Sequence, residues 1–307
     1  MREWLNTQFR AVYERVLRHE ISGAPDHVAV IQDGNRRYAR EKGANTERGH
    51  RAGAETTERV LEWCSELGVE ELTLYAFSTE NFDRPPEERE HLFDLLEEKL
   101  YEFADAERVH DDEVRVRAIG EIERLPGRVR DAIEYAESRT AGHEAFTLNV
   151  AVAYGGRTEL LGATRDVARA VDRGELDPEA VTAETVEERL YGGDVRDVDL
   201  IVRTGGDERT SNFLPWHANG NEAAAFFCTP YWPEFSKIDF LRAIRTYEAR
   251  EASWRQTRAK RALALVRALG GEVREARRVL HRFRDHLPDA VEAETVEDEP
   301  VDERPTG

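Results

Sequence analysis

Short apolar runs and amphipathic stretches alternate along most of the chain. Apolar residues at Trp4, Leu5, Phe9, Val12, Tyr13, Val16 and Leu17 fit one helical face over residues 1–22. Ser22-Gly23-Ala24-Pro25 breaks that pattern. Val28-Ala29-Val30-Ile31 then reads as a buried parallel strand. A helix is expected from about His50 to Leu67, closed by Gly68, and a strand over Leu72–Phe77. Pro85-Pro86-Glu87-Glu88 opens another helix, with proline and acids where a helix N-terminus prefers them. Strands follow at Val114–Ile119 and Phe146–Ala153, with a helix over Arg128–Arg139 between them. A further helix runs to about Val171, and strands are expected at Val198–Val202 and Ala223–Phe227. Such alternation predicts βαβ units and an α/β fold with a mostly parallel, six-stranded central sheet flanked by helices. From about Leu241 to Phe283 the chain is rich in Arg and Glu with helical periodicity. Pro288 to Gly307 is acidic and reads as a disordered tail.

The 307 residues are 40% hydrophobic, enough for a sizeable core. No run of apolar residues is long enough to span a membrane, and Met1-Arg2-Glu3-Trp4-Leu5 does not begin a signal peptide, so a cytoplasmic protein is expected. Cys64 and Cys228 sit in apolar contexts without metal-ligand spacing and read as buried small hydrophobes. The net charge of −19 argues against nucleic-acid binding. Lysine occurs only at Lys42, Lys99, Lys237 and Lys260. An acidic excess with scarce lysine fits a protein that works in high salt, where a crowded acidic surface no longer repels itself. An ordinary acidic cytoplasmic protein is the plainer alternative.

In parallel sheets, ligands bind beyond the carboxyl ends of the strands. Four strand ends here carry unusual polar residues. Asp33-Gly34-Asn35-Arg36-Arg37 combines a glycine that admits close backbone approach, arginines that fork onto phosphate, and a carboxylate suited to Mg²⁺. Taken alone, an ordinary Asp-Gly turn accounts for it equally well. The others are Ser78-Thr79-Glu80-Asn81-Phe82-Asp83-Arg84, Tyr154-Gly155-Gly156-Arg157, and Arg203 through Asn212. The last holds two arginines, two glycines, a serine and two acids, and looks like a second diphosphate site.

These segments, with Gly49-His50-Arg51-Ala52-Gly53 and Tyr231-Trp232-Pro233-Glu234-Phe235, resemble the cis-prenyltransferases, the undecaprenyl diphosphate synthase family. The resemblance runs from about residue 20 to 255. It implies Mg²⁺-dependent, sequential condensation of isopentenyl diphosphate onto an allylic diphosphate, giving a long polyprenyl diphosphate for a glycosyl carrier lipid. On the saline reading the source is a halophilic archaeon and geranylgeranyl diphosphate the primer.

By the resemblance, Asp33 is the Mg²⁺ and diphosphate carboxylate, and Glu222 a second metal-associated one. Gly34, Asn35, Arg36 and Arg37 cradle the allylic diphosphate, and His50 lies beside it. Ser78 and Asn81 orient the reacting groups, with Asn81 counted as catalytic along with Asp33 and His50. Phe82 and Arg84 line the substrate, while Arg203, Arg209 and Ser211 hold isopentenyl diphosphate. The sequence departs from the family pattern at Gln32, Tyr38, Phe82, Asp207 and Glu208. The last two leave the metal arrangement between the diphosphates open. An apolar tunnel between sheet and helices is expected, with Leu92, Phe93, Leu95, Leu96 and Leu100 as its wall, although a plain core face explains those residues as well. The implied organisation is an N-terminal helix (1–22), a catalytic domain (23–255), a helical extension (256–287) and an acidic tail (288–307). A homodimer with at most peripheral lipid contact is expected, with the sixth-strand region and residues 237–255 as its contact surface. A non-catalytic accessory subunit would be expected to lose the Asp-Gly-Asn turn. An unrelated phosphotransferase would want a Gly-rich loop ending in Gly-Lys-Ser/Thr, which is absent.

Overall fold

The computed structural model describes residues 2–191, 196–218 and 223–253. Glu222, the extension over 256–287 and the tail over 288–307 lie outside the described residues. In chain order the elements are α1 (Arg2–Glu20), β1 (His27–Ile31), α2 (Asn35–Glu41), α3 (Thr46–Leu67), β2 (Glu71–Ser78) and α4 (Pro86–Asp105). Then come α5 (Glu107–Asp111), β3 (Val114–Ile119), α6 (Gly127–Thr140), β4 (Phe146–Tyr154), α7 (Gly156–Asp172), α8 (Ala183–Glu187), β5 (Leu200–Arg203) and β6 (Ala224–Phe227). A last helix, α9, covers residues 237–253.

The six strands form one sheet in the order β3-β4-β2-β1-β5-β6, and every pairing among them is parallel. The chain leaves β1 toward β2 on one side and returns to its other side with β5. That reversal makes the carboxyl end of β1 the switch point of the sheet, where a crevice opens. Val28 and Val30 point into the larger apolar core, which includes Val60, Trp63, Leu92, Phe93 and Val129. Ala29 and Ile31 point to the opposite face, onto Tyr154, Ile201, Phe213 and Leu214. This two-sided burial is why β1 reads as an uninterrupted apolar run.

The predicted elements recur with ends moved by a few residues, α3 starting at Thr46 under an Asn45 cap that accepts from the Arg48 amide at 3.0 Å. On the N-terminal helix, side-chain burial is described from residue 11 onward. Leu17 is buried, but Val12 and Val16 face solvent at 57% and 46% exposure. Its visible tethers are Leu17 and ion pairs such as Arg18–Glu66 at 3.0 Å. Cys64 is buried and Cys228 half-buried, both as free thiols. Among the described residues, no helix is long and apolar enough to cross a membrane.

Candidate active site

The register of the sheet assembles the site. Ile31 of β1 stands opposite Arg203 of β5, so the residue two past Ile31 meets the last residue of β5. The buried Arg203 guanidinium donates to Asp33 Oδ2 at 2.7 Å and to Asp207 Oδ2 at 3.1 Å. Its other terminal nitrogen donates to the Arg209 carbonyl at 2.7 Å and to Ser211 Oγ. From α2, Arg37 donates to Asp33 Oδ1 at 3.0 Å and to the Gly205 carbonyl at 2.8 Å. Burial pushes the Asp33 carboxyl up, but the Arg203 hydrogen bond and the Arg37 charge outweigh it and hold its pKa below the usual value.

The backbone of the turn is fixed as firmly. The Asp33 amide donates to Thr204 Oγ1 at 3.1 Å, and the Thr204 hydroxyl donates back to the Asp33 carbonyl at 2.7 Å. The Trp232 amide reaches the same carbonyl at 3.0 Å. Gly34 has φ of 104°, and a Cβ there would lie 2.6 Å from the Tyr231 ring. The turn therefore requires glycine for its conformation and for its contact.

A second cluster forms where β2 leads into α4. Ser78 and Asn81 cap the turn Thr79–Asp83, the Ser78 amide donating to Asn81 Oδ1 at 3.0 Å. Arg84 donates to Glu88 Oε1 at 2.7 Å. His50 Nε2 and Arg36 Nη1 lie 3.8 and 3.7 Å from the same carboxylate. Burial lowers His50 to about 4, with the Arg84 charge adding to the shift and Glu88 opposing it. The ring is therefore neutral near pH 7. Its Nε2 and the Asn35 Oδ1 are buried without a hydrogen-bond partner. Polar atoms left this way at a cleft edge are ready for a ligand.

These residues enclose a cleft of about 520 Å³. Asp33, Gly34, Asn35, Arg36, Arg37, His50, Ser78, Asn81, Arg84, Arg203, Arg209 and Ser211 all line it. Six arginines (36, 37, 40, 84, 203 and 209) face three acids, Asp33, Glu80 and Asp207. The cleft is thus cationic within a chain of charge −19, and focuses anions. Phe82 does not line it. The turn directs its ring inward onto Phe77 and Phe93, at 5.0 and 6.4 Å, with the Arg124 guanidinium 4.3 Å above it. The Tyr154–Arg157 segment also stands behind the cleft. The Gly156 and Arg157 amides donate to Asn212 O and Oδ1 at 2.9 and 2.8 Å, bracing the loop that carries Arg209 and Ser211.

Sequence reasoning missed Glu88 and Thr204. Glu88 looks like an ordinary acid in a first helical turn, and only its position four residues after Arg84 hinted at a pair. Thr204 gave no signal beyond following Arg203.

A second cavity, of about 400 Å³, continues from the first. The two share Gln32, Asn35, His50, Ala76 and Leu92. It runs between the sheet and helices α3 and α4, past Leu61, Leu95, Leu96, Leu100 and Phe103. An anion-binding cleft opening into an apolar cavity suits a molecule with an anionic head and a hydrocarbon tail.

Known proteins share this sequence and fold. The family described as "Putative undecaprenyl diphosphate synthase" matches residues 31–255. A Halobacterium salinarum protein named tritrans,polycis-undecaprenyl-diphosphate synthase (geranylgeranyl-diphosphate specific) is 75% identical, over 93% of this chain and 95% of its own. A Haloarcula marismortui protein of the same name is 68% identical, over 94% and 95%. The crystal structure of lavandulyl diphosphate synthase from Lavandula x intermedia, in complex with dimethylallyl diphosphate, superposes with a TM-score of 0.69. It is 32% identical, over 73% of this chain and 95% of its own.

Proposed function

The chain belongs to the undecaprenyl diphosphate synthase family of cis-prenyltransferases, and from that premise we propose that it extends geranylgeranyl diphosphate with successive units of isopentenyl diphosphate. The product is a long polyprenyl diphosphate for a glycosyl carrier lipid. The observation that carries this reading is the wall shared by the cationic cleft and the apolar cavity. The relatives' names support the primer, since these proteins are called geranylgeranyl-diphosphate specific.

The allylic diphosphate is assigned to Gly34, Asn35, Arg36 and Arg37, with Arg84 on its flank and its tail passing His50 into the cavity. Isopentenyl diphosphate is assigned to Arg203, Arg209 and Ser211. As the allylic C–O bond breaks, negative charge grows on the departing diphosphate. Arg37, already fixed by the Asp33 carboxylate and the Gly205 carbonyl, and Arg36 beside it stabilise it. Neutral His50 offers its unpartnered Nε2 as a hydrogen-bond partner to that head group, and Asn81 orients the reacting groups. The alkene of isopentenyl diphosphate, held by its own head, forms the new carbon–carbon bond to the allylic carbon, and a proton is then lost.

The donor set fits Mg²⁺. Asp33 is an ionised carboxylate at the cleft, Asp207 accepts from the same Arg203 nitrogen, and phosphate oxygens would complete the shell. Among the described residues no group of three or more His, Cys, Asp or Glu could hold a metal unaided. When bound, Mg²⁺ neutralises charge on the leaving diphosphate.

We place the protein in the cytoplasm as a homodimer with at most peripheral lipid contact. The edge strand β6, carrying half-buried Phe226 and Phe227, and helix α9 are the proposed contact surface. The test supplies purified protein with Mg²⁺, labelled isopentenyl diphosphate and a series of allylic primers in high salt. Preferred extension of geranylgeranyl diphosphate is expected. Extension of none would overturn the catalytic reading, and preference for a shorter primer the primer assignment.

A further inference from the structure

The cleft lies at the carboxyl ends of the strands. At the opposite, amino ends of β3 and β4, two histidines face each other. His110 is on α5, and His143 is in the turn between α6 and β4. His110 Nδ1 and His143 Nε2 are 3.3 Å apart. The other nitrogen of each ring is already committed. His110 Nε2 lies 2.9 Å from the Ala104 carbonyl, and His143 Nδ1 lies 2.9 Å from the Val114 carbonyl. A carbonyl oxygen can only accept, so in each neutral ring that nitrogen carries the proton. The two facing nitrogens then both bear lone pairs, and neither can donate to the other. The ring centroids are 5.1 Å apart with planes at 80°, so the nitrogens are the facing edges of the pair. The backbone holds both rings in place. The His143 amide donates to the Thr140 carbonyl at 3.1 Å, and the Glu113 amide donates to the His110 carbonyl at 3.3 Å. Two lone pairs held this close repel each other unless a cation joins them.

We propose that His110 and His143 together bind one divalent transition-metal ion, with Zn²⁺ the best fit, as a clasp between α5 and the turn before β4. The distance carries the argument. Nitrogens about 2.0–2.1 Å from a tetrahedral Zn²⁺ lie about 3.3 Å from one another, which is the separation of this pair. The carbonyls supply the outer shell. A metal-ligating histidine characteristically donates its other N–H to a carbonyl or carboxylate, which fixes the tautomer and makes the ligating nitrogen more basic. Both rings here do so. Mg²⁺ does not suit the site, because it prefers oxygen ligands, whereas imidazole suits Zn²⁺, Cu²⁺ and Ni²⁺. The site is therefore chemically distinct from the carboxylate and phosphate chemistry of the cleft. Both rings are partly exposed, which lets water complete the shell. Among the described residues they form a pair and not a set of three, and two protein ligands with water make an exchangeable ion. Ala104 is in the last turn of α4 and Val114 is the first residue of β3. One ion thus secures four elements at the end of the sheet away from the chemistry. Because the pair is assembled only in the folded chain, binding stabilises the fold by mass action. A proton shared between the nitrogens is the rival occupant, and metal binding displaces it.

The experiment uses the full chain, stripped with a chelator and returned to high salt with Mg²⁺ present. Zn²⁺ is titrated in by calorimetry, and melting is followed with and without it. The wild type is expected to bind one equivalent that His110→Gln and His143→Gln each abolish. Its Tm should rise by about 3 °C or more at a hundredfold excess over Kd, and neither variant should show that rise. Circular dichroism checks that both variants fold. Neither residue lines the cleft or the apolar cavity, so Mg²⁺-dependent turnover should stay at the wild-type rate in both. Zn²⁺ binding that survives undiminished in both variants belongs elsewhere in the chain and overturns the site. A wild type that binds no Zn²⁺ overturns it too, and the pair then shares a proton. Should either variant fail to fold, the wild type decides alone. X-ray absorption on its one-equivalent Zn²⁺ complex is expected to count two imidazole nitrogens at about 2.0 Å, and a shell without that pair overturns the proposal.

Discussion

The polar cleft and the apolar cavity meet at Asn35 and His50, yet they hold their shapes by different means. In the cleft, the Asp33 turn is fixed by several directional contacts. Asp33 is held through both carboxylate oxygens and both backbone polar atoms. The cavity is shaped by leucines on two helices, and those helices are laced on the outside by ion pairs such as Arg51–Glu98 and Lys99–Glu58. The first construction suits chemistry, where a small displacement of a charge costs rate. The second suits a substrate that lengthens at every turn, because apolar walls do not prescribe register. Changes in the cleft should therefore alter rate, and changes in the cavity should alter product size.

Asp33→Ala breaks the comparison hardest. Loss of kcat on the order of a thousandfold or more is expected, from lost preorganised electrostatics, with circular dichroism checking that the fold persists. Retained turnover would remove Asp33 from the mechanism. Arg203→Ala should lower kcat/KM for isopentenyl diphosphate by roughly a hundredfold, the order of a charge-assisted, bidentate-capable contact. Steady-state kinetics with the allylic partner saturating reads this directly, and an effect confined to the allylic KM would reverse the assignment of the two heads. Glu88→Gln should cost roughly tenfold, the value of one modest charge-assisted hydrogen bond. It leaves Arg84, His50 and Arg36 without their common anion, so the loss should fall on the allylic substrate.

The smallest effect is on stability against pH. His27, His50 and His217 are each held at about 4 by burial. Unfolded, they titrate at 6.5, so between these values the unfolded chain binds more protons. Stability is then full above pH 6.5 and falls as pH drops toward 4. Melting curves at constant salt should show Tm declining across that window. A flat profile would mean the rings are not buried in neutral form.

The two regions were unequally legible in the sequence. The strands and the turns after them could be read because buried parallel strands are uninterrupted apolar runs and because glycine, arginine and acid rarely crowd a turn without reason. That Asp33 meets Arg203 could not be read, since it depends on β1 and β5 being neighbours in register. Phe82 was placed on the substrate by resemblance, yet its ring faces Phe77 and Phe93; the facing of a side chain in a single 3₁₀ turn is set by what packs beneath it. The leucines of α4 gave no decision between core and cavity, because both demand the same helical stripe. Glu58 and Lys99 gave no signal in the sequence, because their place on the cavity wall follows only from how α3 and α4 pack.

The most direct test is a crystal structure with Mg²⁺ and the unreactive thiodiphosphate analogue of geranylgeranyl diphosphate. The head should lie among Gly34, Asn35, Arg36 and Arg37, with the tail passing His50 between α3 and α4 toward Leu96 and Leu100. A tail lying outside that cavity, or a head bound at Arg203 and Ser211 in preference to the Asp33 turn, would contradict the division of labour between the two regions.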